Sequence, residues 1–242
     1  MKIVIPMAGL GSRFEAKGYT KPKPLIEFLG KPMIQHVVEH LGLLDHKHVF
    51  LCQKGHVWKY RLHELFSHLL EDRYEIVEVD GLTEGAACTV LLADQVLNED
   101  DPVLIVNSDQ LVYWDKNSLS SENSSEDGCI FCFPGTGPNW SYVKVNEAGK
   151  VTQVAEKQEI SEHATSGMYY WKKWKDFKTA CNAMIAADDR TNGEFYVAPV
   201  YNYAEKKDII IKYVNAVDQV GTPEELEQYL VEHGPTDNLR VS

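Results

Sequence analysis

Apolar residues along this chain fall into two recurring patterns: short unbroken runs, and stretches spaced at helical intervals. Ile3, Val4 and Ile5 form the first run and read as a buried strand. Pro32 can open a helix because its missing N–H costs nothing there. Ile34, Val37, Val38 and Leu41 then follow at i, i+3, i+4 and i+7, one face of a helix. A buried strand is predicted over 48–52, and Trp58, Leu62, Leu65, Phe66 and Leu69 mark a second helix. A strand over 75–79, a helix over 85–97 and a fully apolar strand over 103–106 continue the alternation. This rhythm predicts an α/β fold, doubly wound about a mostly parallel central sheet, over residues 1 to about 110.

After Asp109 the pattern changes. Residues 117–127 (NSLSSENSSED) are polar and serine-rich, and read as a surface loop. Strand-like runs at 129–133, 142–145, 151–155 and 166–171, separated by turns, predict a mixed or antiparallel extension of the first sheet. Helices over 176–187 and 222–232 and a strand over 209–213 close the chain. With no dividing linker and no internal repeat, residues 1–242 are expected to form a single domain.

Composition narrows the function. The 242 residues are 44% hydrophobic and 25% charged, enough for one sizeable core. A formal net charge of −12 argues against a nucleic-acid scaffold or a polybasic membrane binder. The apolar start through Met7 is too short for a signal peptide, and no run approaches a membrane span. A cytoplasmic protein is therefore expected, with neither nucleic acid nor membrane as partner; a homo-oligomer stays open. Cys129 and Cys132 form a C-x-x-C pair, but within the apolar run GCIFCF and without a second pair at zinc spacing. They read as buried strand residues, and Cys52, Cys88 and Cys181 as isolated core residues. His36, His40, His46, His48, His56, His63 and His68 gather on the early helices and connections, and are expected at their surfaces.

The candidate chemistry lies at the start. The first strand runs straight into Ala8-Gly9-Leu10-Gly11-Ser12-Arg13, and Lys21, Lys23 and Lys31 follow. A strand ending in a glycine-rich turn presents bare backbone N–H groups to a phosphate, and nearby cations neutralise a polyanion held there. This is not the dinucleotide fingerprint, since Phe14 stands where its third glycine would be. Nor is it a P-loop, because Gly30-Lys31 is followed by Pro32. The pattern points to a nucleoside triphosphate. Ligands of an open α/β sheet gather at the carboxyl ends of its strands, and the strand over 103–106 ends in Asn107-Ser108-Asp109. A carboxylate there suits a hard cation shared with phosphate oxygens.

The runs GLGSRF, KPKPL and GKPMI together resemble the signature of the sugar-phosphate nucleotidyltransferases, the NTP-transferase family with its glycosyltransferase-A-like fold. The resemblance implies an enzyme that couples an NTP to a phosphorylated sugar or small metabolite and releases pyrophosphate, as in surface-polysaccharide precursor synthesis. It implies a nucleotide-binding half, 1–110, and an acceptor-binding half, 111–242. Ala8, Gly9, Leu10, Gly11, Ser12, Arg13 and Lys23 would hold the nucleotide, with Gly85 beneath the base. Asp109 would hold Mg2+. Arg13, Lys23, Asp109 and Lys157 would carry catalysis, and Glu156, Lys157, Gly167, Tyr169 and Glu194 would line the acceptor site. One departure matters. The family's second metal aspartate stands two residues before a Gly-Thr turn, where this chain has Gln219, with Asp218 one step earlier. One step along a strand reverses a side chain's direction, so Asp218 serves as a ligand only if a bulge or register shift re-aims it; otherwise Asp109 holds the metal with phosphates and water. The compact length inclines towards CTP. Two other readings stay open: a glycosyltransferase of the same fold, which would want a D-x-D pair where this chain has Asp109 alone, and a catalytically silent nucleotide sensor.

Overall fold

A computed structural model describes residues 1–119, 125–205 and 207–234. Of the serine-rich segment predicted as a loop, residues 120–124 lie outside the described residues, and Lys116–Leu119 just before them is a 3-10 turn. In chain order the elements are β1 (Lys2–Pro6), α1 (Ser12–Ala16), β2 (Glu27–Phe28), β3 (Lys31–Pro32), α2 (Met33–Leu41), β4 (Lys47–Gln53), α3 (Lys54–Lys59), α4 (Leu62–Leu70) and β5 (Tyr74–Val79). They continue through α5 (Ala86–Leu91), β6 (Val103–Val106), β7 (Gln110–Tyr113), β8 (Gly128–Pro134), β9 (Ser141–Val145), β10 (Val151–Glu156) and β11 (His163–Trp171). The chain ends in α6 (Trp174–Ala186), β12 (Ile209–Tyr213), β13 (Ala216–Gln219) and α7 (Pro223–His233).

The main sheet runs β10-β9-β11-β6-β1-β4-β5, with β8 and β12 added through β11. Its first half is parallel: β1 pairs with both β6 and β4, and β4 with β5. Antiparallel pairing begins at β11, which lies against β6, β8 and β9. Among the described residues of the second half, β12 returns to a parallel pairing, with β8. The expected mixed sheet with an antiparallel extension is what forms.

Strand alternation sorts the core into two layers. Ile3, Ile5, Phe50, Leu104 and Val106 face one side, where α2, α4 and α7 supply Ile34, Phe66 and Leu226. Val4, Val49, Leu51 and Ile105 face the other, against Val90 of α5 and Phe177 of α6. Trp171 also lies on that side and stacks on Tyr201 with ring centroids 4.3 Å apart. Each layer draws side chains from both halves of the chain, so helices cover the sheet on two faces as double winding requires.

Several expectations are corrected. The helix expected around Trp58–Leu69 is two helices, α3 and α4, broken where Arg61 takes a left-handed conformation at φ 52°. Trp58 is consequently exposed and outside the core. The helix expected over 85–97 ends at Leu91 and continues only as a 3-10 turn, Leu92–Gln95. His36 and His48 are buried, not superficial. His36 donates from Nε2 to the Phe28 carbonyl at 2.8 Å and stacks on the Phe28 ring. Burial pushes the His48 imidazole down to about 4, so it sits neutral in the core. Cys129 and Cys132 are free and buried on opposite sides of β8, which separates their thiols.

Candidate active site

The carboxyl ends of β1 and β6 open on a cavity of about 580 Å³. Ala8, Gly9, Leu10, Gly11, Ser12 and Arg13 form one wall as the chain leaves β1. Gly11 is left-handed (φ 65°) at the start of α1, and a Cβ there would lie 2.8 Å from the Lys23 Cβ. The turn thus depends on glycine twice, once for its conformation and once to let Lys23 pass close. Pro22 and Pro24 flank Lys23 in a 3-10 turn and restrict its backbone. Its Nζ donates to Asp109 Oδ2 at 2.6 Å, with both side chains about three-quarters buried.

Asp109 lies in the turn between β6 and β7. Its carbonyl accepts from Val220 N at 3.0 Å, and its Oδ2 lies close enough to Gly221 that a Cβ there would meet it at 2.7 Å. Lys23 and Asp109 are 86 positions apart in sequence, and the parallel β1–β6 pairing brings their loops to one edge. Arg13 lines the same cavity.

The opposite wall comes from the antiparallel extension. Glu156 ends β10 and accepts a short hydrogen bond from Ser141 Oγ on β9. Burial raises its carboxyl pKa above the ordinary value, and Glu194 nearby adds to that, while Ser141 and Lys157 oppose it. Lys157 holds a left-handed conformation (φ 55°) with its N–H donating to the Trp140 carbonyl at 3.0 Å. Its Nζ donates to the Tyr196 hydroxyl at 2.7 Å, above the ring. Tyr169 is buried, its hydroxyl 3.1 Å from Thr165 Oγ1, and burial raises its pKa so that the phenol keeps its proton. Glu194 stands exposed at the mouth.

Gly85 lines the cavity beside the Ala8–Arg13 turn, but its missing side chain has a second cause: a Cβ there would collide with the backbone of Phe195. Two expected residues lie elsewhere. Gly167 is not on the cavity wall. It sits in a β-bulge of β11, where Ser166, Gly167 and Met168 oppose Phe131 alone, and its missing Cβ makes room for the Gln110 side chain. Asp218 pairs with Leu111 and Gln219 with Gln110 in an unbroken β13–β7 ladder. No bulge re-aims Asp218. It faces Tyr113, whose hydroxyl bonds to it, and lies 4.0 Å from His233 Nε2. Gln219 takes the cavity position instead.

Trp140, Tyr196, Asn107 and Gln110 also line the cavity and were not singled out from the sequence. Tyr196 stands two residues after Glu194, a spacing that would have placed both on one side of an extended segment. Trp140 lies in a turn before β9 and left no such signal.

A family model described as nucleotidyl transferase matches residues 2–215. Mannose-1-phosphate guanyltransferase of Yarrowia lipolytica is 36% identical over 183 residues, covering 70% of this chain and 48% of the relative. The protein of the same description from Emericella nidulans is 29% identical over 182 residues, covering 70% and 49%. The chain therefore spans about half the length of the curated relatives it matches. Among solved structures, the nucleoside-diphosphate-sugar pyrophosphorylase from Vibrio cholerae RC9 superposes with a TM-score of 0.83 at 29% identity, over 95% of this chain and 99% of that one. The inositol-1-phosphate CTP transferase from T. maritima shares the fold, with a TM-score of 0.74 at 14% identity over 96% and 93%. The match over residues 2–215, on a fold whose β1 and β6 loops meet at this cavity, shows that the chain belongs to the nucleotidyl transferase family.

Proposed function

We propose that the protein transfers a nucleotidyl group from an NTP to the phosphate of a sugar phosphate or a similar small metabolite, releasing pyrophosphate. One observation carries the reading. Two cations beside the phosphate turn (Arg13 and Lys23) and a strand-end carboxylate (Asp109) face a third cation, Lys157, across one cavity. The cavity is thus provided with positive charge at both ends, as two polyanions brought together require.

An acceptor phosphate oxygen attacks the α-phosphorus, a new P–O bond forms, and the bond to the departing pyrophosphate breaks with its electron pair. Two unit anions at 4 Å repel by about 4 kcal/mol even at an effective dielectric of 20. Arg13 and Lys23 offset this on the triphosphate side, and Lys157 on the acceptor side. The acceptor is already an anion, so no general base is needed. Glu156 and the Tyr169 hydroxyl would hold the acceptor's body, with Glu194 closing over it.

Among the described residues no three His, Cys, Asp or Glu side chains cluster as a metal cage. Mg2+ characteristically takes one or two carboxylates and completes its shell with phosphate and water. Asp109, a strand-end carboxylate on the wall of the phosphate turn, fits a cation that arrives with the nucleotide. When bound, that cation would neutralise triphosphate charge and polarise the transferring phosphoryl group.

Magnesium-dependent pyrophosphate release from a panel of NTPs and phosphorylated acceptors tests the reading. The relatives' names bring GTP and hexose 1-phosphates to the front of the panel, and the sequence expectation places CTP beside them. Release from no pair would leave a silent nucleotide sensor, and consumption of a nucleotide sugar without pyrophosphate a glycosyltransferase.

Glu156 gives the acceptor step a pH signature. Its ionised form accepts hydrogen bonds from the acceptor, and burial raises its pKa above the ordinary 4.5. Acceptor KM should therefore climb as the pH falls through a point above 4.5, with nucleotide KM unaffected. In Glu156→Gln that limb should vanish, with acceptor KM raised about tenfold at neutral pH. The sign for stability is opposite: the folded state holds this proton more tightly, so Glu156 favours folding less as the pH rises past 4.5.

A further inference from the structure

The wall that carries Gly85 and the wall that carries Glu194 and Tyr196 are tied together outside the cavity by one side chain, Arg190. Its Nη2 donates to Glu84 Oε2 at 2.5 Å, its Nε to Asp188 Oδ1 at 2.5 Å, and its Nη1 to the Gly193 carbonyl at 3.2 Å. The guanidinium also lies 4.1 Å from the centroid of the Phe195 ring. Main-chain bonds run alongside: Phe195 N–H donates to the Glu84 carbonyl at 2.9 Å, and Ala87 N–H to the Phe195 carbonyl at 3.0 Å. The absence of a side chain at Gly85 is what lets these backbones approach.

The clip itself is a folded-back turn. Thr191 and Glu194 exchange backbone hydrogen bonds, each 3.0 Å, and Asp188 and Asn192 are held left-handed at φ 50° and 51°. Such conformations are sparsely populated and persist where surrounding contacts fix them. An exposed ion pair alone would contribute little. One planar guanidinium that meets two carboxylates, a carbonyl and a ring at once fixes a geometry that a lysine cannot reproduce.

We propose that Arg190 is a positioning residue that couples the two substrate subsites. Nucleotide bound over Gly85 fixes the 82–87 segment. Through Arg190 and Phe195 that fixes Glu194 and Tyr196, and Tyr196 in turn holds Lys157. The inference rests on the nucleotidyltransferase reading of the cavity. By linkage, acceptor and nucleotide tighten each other by the same factor.

Arg190→Met keeps an unbranched stem against Phe195 and removes the donors; Arg190→Lys restores charge without the fork. The measurements are acceptor KM at limiting and saturating nucleotide, and amide hydrogen exchange in 8–13, 82–87 and 188–196 with and without nucleotide. Arg190→Met should reduce the mutual tightening about fivefold or more, while kcat at saturation stays within about threefold. Nucleotide should still protect 8–13 but no longer 188–196, and Arg190→Lys should recover only part of the coupling. Retention of the tightening and of protection at 188–196 in Arg190→Met would overturn the proposal. If none of CTP, GTP, UTP, ATP and dTTP protects 8–13 in the unaltered protein, the nucleotide reading itself fails. Exchange in the free protein then decides. Faster exchange of 188–196 together with 82–87 in Arg190→Met supports the clip, and faster exchange of 188–196 alone overturns it.

Discussion

Asp109→Asn should lower pyrophosphate release by about 10³-fold at saturating substrates, the loss expected when one preorganised charge and its cation leave a phosphoryl-transfer site. The change conserves shape, and its neighbours tolerate it. Gly221 leaves room at Oδ2, and the Asp109 carbonyl keeps its bond from Val220. The lost partner is Lys23 Nζ, in a pair roughly one-quarter exposed on each side, so the folding cost should be only about 1 kcal/mol. Asp218→Asn is the matched control. It removes the same charge, from a residue on the adjacent strand that faces Tyr113 and His233. Its effect should appear in denaturation, as about 1 kcal/mol of lost hydrogen bonding, with turnover near the unaltered value. Manganese binding in the presence of nucleotide, followed by electron paramagnetic resonance, separates the two independently of turnover. Equal losses of kcat in both variants would mean that the β13 register does not set which carboxylate meets the phosphates.

The contrast between these two aspartates also marks how far the sequence can be read. Period-two alternation foretold that Asp218 and Gln219 face opposite ways; only the ladder shows that no bulge intervenes and that Gln219 has the cavity. The first half was legible because its central strands, β1, β4 and β6, are buried on both faces. Ile3, Val4 and Ile5 are apolar in succession because one layer takes Ile3 and Ile5 and the other takes Val4. The phosphate turn was legible for a related reason, since Gly11 and the prolines flanking Lys23 are residues the backbone geometry demands. The break at Arg61 was not, because an arginine in a left-handed conformation has no compositional mark. The bounds of β13 and its pairing with β7 carry no such mark, since Ala216–Gln219 is short and nowhere fully buried. The acceptor wall was legible only through family resemblance: Glu156 and Tyr169 are brought to one wall by the antiparallel pairing of β10, β9 and β11, which no local pattern encodes. Gly167, which the resemblance implies for the acceptor wall, lies off it because a bulge falls between Thr165 and Tyr169.

Lys23→Ala should lower kcat by about 10²–10³-fold, the range for removal of one preorganised donor from a developing anion. A second and opposite effect should accompany it. Lys23 Nζ donates to Asp109 Oδ2, so the carboxylate offered to a cation is shared with an ammonium. A triphosphate entering beside Gly11 gives the ammonium a stronger anionic partner and releases Asp109 as it does so. Nucleotide and cation should therefore bind cooperatively in the unaltered protein, and the cation alone only weakly. Removing Lys23 should tighten manganese binding to the free protein about tenfold or less, the size of a partly exposed ion pair, while weakening nucleotide binding. Titration calorimetry with each ligand alone and then together reads both changes. A rate close to that of the unaltered protein would remove Lys23 from the chemistry. Unchanged cation affinity in the free variant would instead show that the Lys23–Asp109 pair exerts no control over the carboxylate. The two effects share one side chain but have opposite signs, so a general loss of folding cannot imitate them.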